Sequence, residues 1–246
     1  HSEREQARTS DLLALMPTGG RLALDVGARD GHLSKLLAER YETVVALDLA
    51  RPAIDHPRVT PIQGDACNLA FADRTYDLVV CSEVLEHIPP SVLGRACAEI
   101  SRVAKSAVVI GVPYKQDIRF GRTTCRGCGR ANPPWGHVNA FDEGRLQGLF
   151  GTLNLSTTTY VGSTRDATNV LAAALMDFAG NPYSTYGQEE GCVHCGAELS
   201  PPAERTFAQK LATRAAFLAQ RMQPAVTRPR GNWIHMRFDK TAAHVA

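Results

Sequence analysis

The decapeptide Leu22-Ala23-Leu24-Asp25-Val26-Gly27-Ala28-Arg29-Asp30-Gly31 decides how this chain is read. An apolar run ends in Asp25, a glycine-bearing loop follows, and Gly31 to Arg40 carries a helical pattern. The order is therefore strand, tight turn, helix. In an open α/β sheet such a turn is where a ligand sits. Gly27 and Gly31 suit it because the backbone bends sharply and lets a ligand approach where a Cβ would intrude. The first N–H groups of the following helix have no intrahelical partner and can receive a carboxylate or the edge of a cofactor. The Asp25 carboxylate can accept from an ammonium group on the same ligand. A nucleotide bearing an amino acid satisfies both ends.

Three further β-rich runs follow. Tyr41 to Leu47 ends in Asp48, 23 residues after Asp25, where Rossmann-type sites place an acid for the ribose hydroxyls. Val59 to Gln63 leads to Gly64-Asp65-Ala66, and Tyr76 to Cys81 runs into Ser82-Glu83-Val84-Leu85-Glu86-His87-Ile88. In this order the stretches resemble the class I S-adenosylmethionine (SAM) dependent methyltransferases. Residues 22–31 are similar to their first motif, with Arg29 where a middle glycine usually stands, and residues 84–88 are similar to the VLEHI signature of one large branch. The resemblance implies a Rossmann-like α/β fold with a seven-stranded, mostly parallel sheet whose last strand is antiparallel. It also implies SAM as cofactor. Asp65 then falls near the exocyclic amine of adenine, and Asp25, Gly27, Gly31, Asp48, Ala66 and Ser82 share the rest of the cofactor.

The 246 residues fit one such domain with an elaboration, and a hydrophobic fraction of 44% is ordinary for a globular protein. No apolar run reaches the eighteen or so residues of a membrane span, so a cytoplasmic protein is expected. A net charge of +2 gives no global field for nucleic acid. Locally, residues 200–230 hold six basic side chains (Arg205, Lys210, Arg214, Arg221, Arg228, Arg230) against one acid, Glu204. A water-exposed charged helix face explains most such runs.

The chain divides into a SAM-binding core over 1–114, a first cysteine insertion over 115–141, a core helix and strand over 142–165, a second cysteine insertion with a long helix over 166–231, and a last core strand and tail over 232–246. Within this, residues 3–16 read as a helix capped at Ser10 or Asp11, residues 90–104 as a helix opened by Pro89-Pro90, residues 107–112 as the fifth strand, and residues 202–222 as a long helix. The helices and cysteine loops are expected to cap the carboxyl ends of the strands, where the methyl acceptor sits.

Seven cysteines do not suit a disulfide framework, and four of them form two Cys-x-x-Cys pairs, Cys125/Cys128 and Cys192/Cys195. Each pair is followed by a glycine, which relieves the backbone as it closes around an ion. Together they supply a Cys₄ set for structural zinc, stapling two insertions that are 63 residues apart. Cys67, Cys81 and Cys97 read as buried apolar residues.

Methyl transfer from a sulfonium is an in-line displacement that needs positioning, plus a base when the acceptor is a hydroxyl. His137, after the fifth strand and first cysteine pair, has the pKa for that base. The Glu-x-x-Glu-His spacing of Glu83, Glu86 and His87 resembles the metal site of small-RNA terminal 2'-O-methyltransferases, with His137 as the further ligand. That resemblance implies Mg²⁺ or Mn²⁺ on the acceptor hydroxyl. A metal-independent reading leaves Glu86 and His87 shaping the pocket and His137 as base.

The order of VLEHI, a Val-Pro-Tyr strand end, a cysteine insertion, a Gly-His turn and a long basic helix resembles bacterial glycan-modifying methyltransferases. The resemblance implies an O-methyltransferase acting on a small-molecule or oligosaccharide hydroxyl. Two alternatives stand beside it, a 2'-O type RNA methyltransferase and a non-catalytic SAM-binding zinc scaffold.

Overall fold

The structure, a computed structural model, describes residues 3–221 and 227–241. His1 and Ser2, to which no role is given, and Met222, the expected end of the long helix, lie outside the described residues. In chain order the elements are α1 (Glu3–Leu15), β1 (Gly20–Val26), α2 (His32–Leu37), β2 (Tyr41–Asp48), β3 (Val59–Gln63), β4 (Tyr76–Ser82), α3 (Pro90–Val103) and β5 (Ala104–Pro113). The short strands β6 (Thr123–Thr124) and β7 (Ala131–Asn132) come next, then α4 (Glu143–Leu149), β8 (Asn154–Val161), α5 (Val170–Phe178), α6 (Phe207–Arg221) and β9 (Trp233–Asp239).

These elements form two compact units. The first comprises His1–Tyr114, Phe141–Gly162 and Gly231–Ala246, and the second Lys115–Ala140 and Ser163–Arg230.

The first unit is built on a seven-stranded sheet in the order β3-β2-β1-β4-β5-β9-β8. Neighbours from β3 to β5 pair in parallel, whereas β9 runs antiparallel to both β5 and β8. This is the expected α/β arrangement, with the last strand inserted antiparallel beside the fifth. The central strands read as unbroken apolar runs because both faces are covered. One face packs Leu24, Val79, Val108 and Phe238 against Leu93, Cys97 and Ile100 of α3. The other packs Val44, Leu78 and Val109 against Leu12 of α1 and Leu37 of α2. Cys67, Cys81 and Cys97 are buried within the first of these cores, as expected.

Several boundaries differ from the sequence reading. Ser10 and Asp11 lie inside α1 and do not cap it. The Asp11 carboxylate instead accepts from His235 Nδ1 at 2.6 Å and from Thr159 Oγ1 at 2.5 Å, tying α1 to β9 and β8. Burial lowers the His235 pKa, with the Asp11 hydrogen bond opposing it. The helix expected over Gly31–Arg40 is only the six residues of α2, after which Glu39 and Arg40 close tight turns onto Leu36 and Leu37. β5 begins at Ala104, three residues earlier than expected. α6 begins at Phe207, where Thr206 caps it: Thr206 Oγ1 accepts the Gln209 N–H at 3.2 Å and Gln209 Oε1 accepts the Thr206 N–H at 3.0 Å.

In the second unit α5 and α6 pack as an antiparallel pair. Asn169 caps α5 through its side chain to the Ala172 N–H, and its Nδ2 donates to the Ala219 carbonyl at 3.0 Å. At the other end Gln209 Nε2 donates to the Phe178 carbonyl at 3.3 Å. Ala172, Ala173, Ala212 and Ala216 are buried, and such small side chains permit close helix approach. β6 and β7 form a minimal antiparallel ribbon.

Candidate cofactor site and cysteine cluster

The sheet register fixes where the acids of the first unit lie. Asp25 aligns with Ala46 and Val80, Asp48 with Gln63, and Ser82 with Gly111. Asp25, Asp48, the Gly64-Asp65 turn and Ser82 therefore collect at the carboxyl edge of the parallel strands. The strand order steps outward on either side of β1, and such a switch point opens a crevice for a ligand.

The loop after β1 is held by backbone bonds. Gly27 and Ala28 N–H donate to the Leu47 carbonyl at 2.8 and 3.1 Å, and Gly31 N–H donates to Ala28 at 2.7 Å. Gly27 has φ 81°, and a Cβ there would lie 2.1 Å from Val84 Cγ2. Gly31 has φ 75°, and its Cβ would meet Ile54 Cδ1 at 2.3 Å. Both positions therefore need glycine. Arg29, in place of the usual glycine, also takes a left-handed conformation, with φ 44°. It adopts the loop geometry of a glycine at a cost of about 1 kcal/mol.

Asp25 is 2% exposed and accepts from Ser34 Oγ at 2.6 Å. Burial pushes its pKa up to about 6, against the pull of that hydrogen bond. The Asp48 carboxylate accepts the N–H groups of Arg29 and Leu49 at 2.8 and 2.7 Å. Asp65 Oδ1 accepts the Cys67 N–H at 2.8 Å in a tight turn, and Ala66 is buried beside it. A carboxylate has about four lone-pair positions, so these bonds leave Asp48 and Asp65 able to accept from a ligand.

The Ser82–His87 segment behaves less uniformly. Glu83 has φ 58° and is held by Arg8 of α1 at 2.9 Å and by the Trp233 indole N–H at 3.1 Å. With Oε2 taken by both Arg8 and Trp233, Glu83 is a poor member of the divalent-metal set to which the sequence assigned it. Glu86 is fully buried, and neither carboxylate oxygen has a hydrogen-bond partner among the described residues. Burial first, and the charge of Glu83 second, raise its pKa well above the ordinary carboxylate range. His87 lies next to it at the end of the segment, partly buried.

Arg8 and Trp233 were not legible as site residues, being distant in sequence from Glu83. A second cluster at the same edge was also missed. Tyr114, just after β5, and Tyr160 of β8 each donate to Glu143 Oε1 at 2.6 Å, with the two rings 5.0 Å apart.

In the second unit His137 follows the turn at Pro134–Gly136 and is 7% exposed. Its Nδ1 pairs with Gln116 Oε1 at 2.6 Å. With the Gln116 amide in this orientation its oxygen accepts from Nδ1–H, and in the neutral imidazole that tautomer makes Nε2 the basic nitrogen.

The two cysteine pairs of this unit fold alike. Gly129 N–H donates to the Cys125 carbonyl and Gly196 N–H to that of Cys192, both at 2.8 Å. The Cys125 and Cys192 N–H groups donate in turn to Arg130 and Ala197 at 2.9 and 2.8 Å. Gly129 and Gly196 have φ 72° and 75°, the left-handed closure the sequence reading requires. All four sulfurs lie within 4.8 Å of one another, with Cys125 to Cys195 at 3.6 Å and Cys128 to Cys192 at 3.8 Å. Tetrahedral zinc with bonds of about 2.3 Å spaces its sulfurs by about 3.8 Å. The Cys128 backbone N–H is the main influence holding the Cys125 thiol down at about 7. Cys195 is pushed up to about 11: the Ala197 N–H works against this, but the hydrogen bonds of the other sulfurs outweigh it. Such crowding of thiolates calls for a cation.

Comparisons with known proteins agree with this fold. Residues 24–110 match the family described as Methyltransferase domain. Over 98 residues the chain is 31% identical to a ubiquinone biosynthesis O-methyltransferase of Albidiferax ferrireducens, a match covering 35% of this chain and 39% of the relative. Over 108 residues it is 32% identical to a demethylmenaquinone methyltransferase of Thermobifida fusca, covering 40% and 45%. The chain thus spans less than half the length of these curated relatives. Among solved structures, a protein of Bacillus halodurans is 17% identical with a TM-score of 0.59, covering 95% of this chain and all of that one. The N-methyltransferase NodS of Bradyrhizobium japonicum, in complex with S-adenosyl-L-homocysteine, is 14% identical with a TM-score of 0.54, covering 98% and 89%. At these identities the structures show the fold alone, the α/β methyltransferase fold.

Proposed function

We propose that this chain is a SAM-dependent O-methyltransferase whose acceptor is the hydroxyl of a sugar, an oligosaccharide or a comparably small molecule. The observation that carries the reading is the set of acids Asp25, Asp48 and Asp65 around the Gly27–Gly31 loop at the carboxyl edge of the sheet. Asp25 suits the ammonium of the amino-acid end, Asp48 the ribose hydroxyls, and Asp65 with Ala66 the adenine. Bound SAM supplies an electrophilic methyl group. The protein's part is then to hold that group in line with the acceptor oxygen and to take the acceptor's proton.

His137 is the proposed base, through the lone pair at Nε2. A divalent ion is the alternative means of lowering the acceptor's pKa, and the unpartnered buried carboxyl of Glu86 supports it. The four cysteines hold zinc as a structural ion within their own unit, a role that fits their spacing and the mutual approach of their sulfurs.

A 2'-O type RNA methyltransferase is the second reading, favoured by one observation, the exposed cations Lys210, Arg214 and Arg221 on α6. A SAM-binding zinc scaffold without catalysis is the third. Transfer of labelled methyl from SAM into fractionated oligosaccharide and RNA pools, with Mg²⁺ or with EDTA, separates them. Label in the oligosaccharides supports the first reading and label in RNA the second. SAM binding without transfer into any acceptor pool, small molecules included, leaves the third. Loss of transfer in EDTA, restored by Mg²⁺, selects the ion over His137 acting alone.

A further inference from the structure

The outward side of the α5–α6 pair is apolar and cationic at once. Along α6, Phe207, Leu211, Arg214, Leu218 and Arg221 recur at three- and four-residue intervals and form one exposed stripe, with Lys210 and Phe217 beside it. Phe207 is 81% exposed and Leu218 63%. The buried side of the same helix carries only Ala212, Thr213 and Ala216. A surface helix normally turns its large apolar residues inward, and here the pattern is inverted. α5 contributes exposed Val170, Leu171 and Phe178. At one edge the Tyr183 ring lies 5.7 Å from that of Phe217, with the Arg205 guanidinium 5.6 Å from the Tyr183 centroid.

Charge decides what covers this face. α6 carries Lys210, Arg214 and Arg221 and no acid, and Asp177 of α5 is paired with Arg122 at 3.2 Å. A second copy docked by a two-fold axis would set these cations against themselves. Exposed Phe and Leu interleaved with Lys and Arg match instead an anionic layer that has an apolar interior. Among the described residues no helix is long and apolar enough to cross a membrane. A helix of this pattern lies in the interfacial plane, with the apolar side chains inserted and the cations at headgroup level.

We propose that the α5–α6 face is a peripheral membrane-binding surface that recognises anionic lipid headgroups. The reading is independent of the methyl acceptor. It is tested by sedimenting the whole chain with vesicles of phosphatidylcholine alone and of phosphatidylcholine with an equal part of phosphatidylglycerol. The expected result is binding to the anionic vesicles that added salt reverses, and little binding to the neutral ones. Lys210→Glu/Arg214→Glu/Arg221→Glu lowers the anionic-vesicle affinity on the order of a hundredfold. Phe207→Ser/Leu211→Ser/Leu218→Ser also weakens it, and both variants keep the wild-type melting temperature. The salt reversal in the unaltered chain stands as a readout should either variant misfold. No binding to anionic vesicles at low salt overturns the proposal. So does equal binding to neutral vesicles, binding unchanged in folded variants, a dimer that the serine substitutions dissociate, or RNA bound through the same cations while vesicles are ignored.

Discussion

Asp48, at the end of β2, accepts the backbone N–H of Arg29 at 2.8 Å, so the second acid of the candidate cofactor site holds the loop that follows the first. Removing that acceptor releases the loop before any ligand is present. Asp48→Ala is expected to speed hydrogen exchange at the Arg29 amide by about tenfold or more. The β5 amides serve as internal reference and stay protected. Unchanged exchange at Arg29 means that Asp48 does not organise the loop.

Arg29 itself stores strain. Its φ of 44° favours glycine, and the relief of about 1 kcal/mol or more is partly offset by the entropy glycine loses on folding. Arg29→Gly is therefore expected to leave stability level or raised by about 0.5 kcal/mol, whereas Arg29→Val lowers it by about 1–2 kcal/mol. Urea unfolding of the two variants measures the gap, which closes if the position tolerates a β-branched residue.

The buried carboxyl of Asp25 links stability, cofactor and pH. Its folded pKa is raised from 3.8 to about 6, so its contribution is fully present below pH 3.8, declines as pH rises, and is lost above about 6. At neutral pH the ionised group costs stability, of order 3 kcal/mol at most for a shift of this size. Asp25→Asn should then raise the melting temperature at pH about 7 while weakening SAM binding. In the unaltered chain SAM affinity should climb as pH rises through about 6, because the ammonium needs the ionised carboxylate. A flat profile over that window removes Asp25 from the ammonium.

Gly27 is excluded from substitution by one neighbour as well as by its φ. An added Cβ lies 2.1 Å from Val84 Cγ2, so Gly27→Ala should cost about 2–4 kcal/mol. Shortening the neighbour as well, in Gly27→Ala/Val84→Ala, recovers part of this, and the double-mutant cycle reads a coupling of about 1 kcal/mol or more. Additivity would show that Val84 gives way and that φ alone sets the cost.

The cysteine cluster should behave as a fold element of its own unit. Cys125→Ser, or treatment with a strong chelator, is expected to release one zinc per chain and lower the melting temperature on the order of 10 °C. Titration with SAM should change little, because the acids of the cofactor site belong to the other unit. Protein purified without zinc, with all four thiols reactive in the folded state, contradicts the assignment.

What the sequence made legible was local. The strand ends and their acids could be read because Asp25, Gly27, Gly31, Asp48 and Asp65 each sit at a junction between an apolar run and a turn. The cysteine pairs were legible as pairs, each with its glycine. Partnerships made across the chain were not. Asp11 resembled a helix cap because the first turns of α1 are exposed and carry no apolar period, while its partner His235 is 224 residues away. Arg8 carries no sequence signal that would join it to Glu83, and Trp233 meets Glu83 only because β9 returns beside β5. The charged water-facing side expected of the long helix is present, with Lys210, Arg214 and Arg221 exposed, but composition does not show that its Phe and Leu share that side.

SAM binding at the Asp25–Asp48–Asp65 edge is tested most directly by a calorimetric titration of SAM into the unaltered chain, paired with Asp48→Ala. Saturable binding at a single site per chain is expected, with on the order of tenfold or greater loss of affinity in the variant, as befits hydrogen bonds to a charged acceptor. No saturable binding by the unaltered, folded chain, or equal affinity in the two proteins, would contradict it.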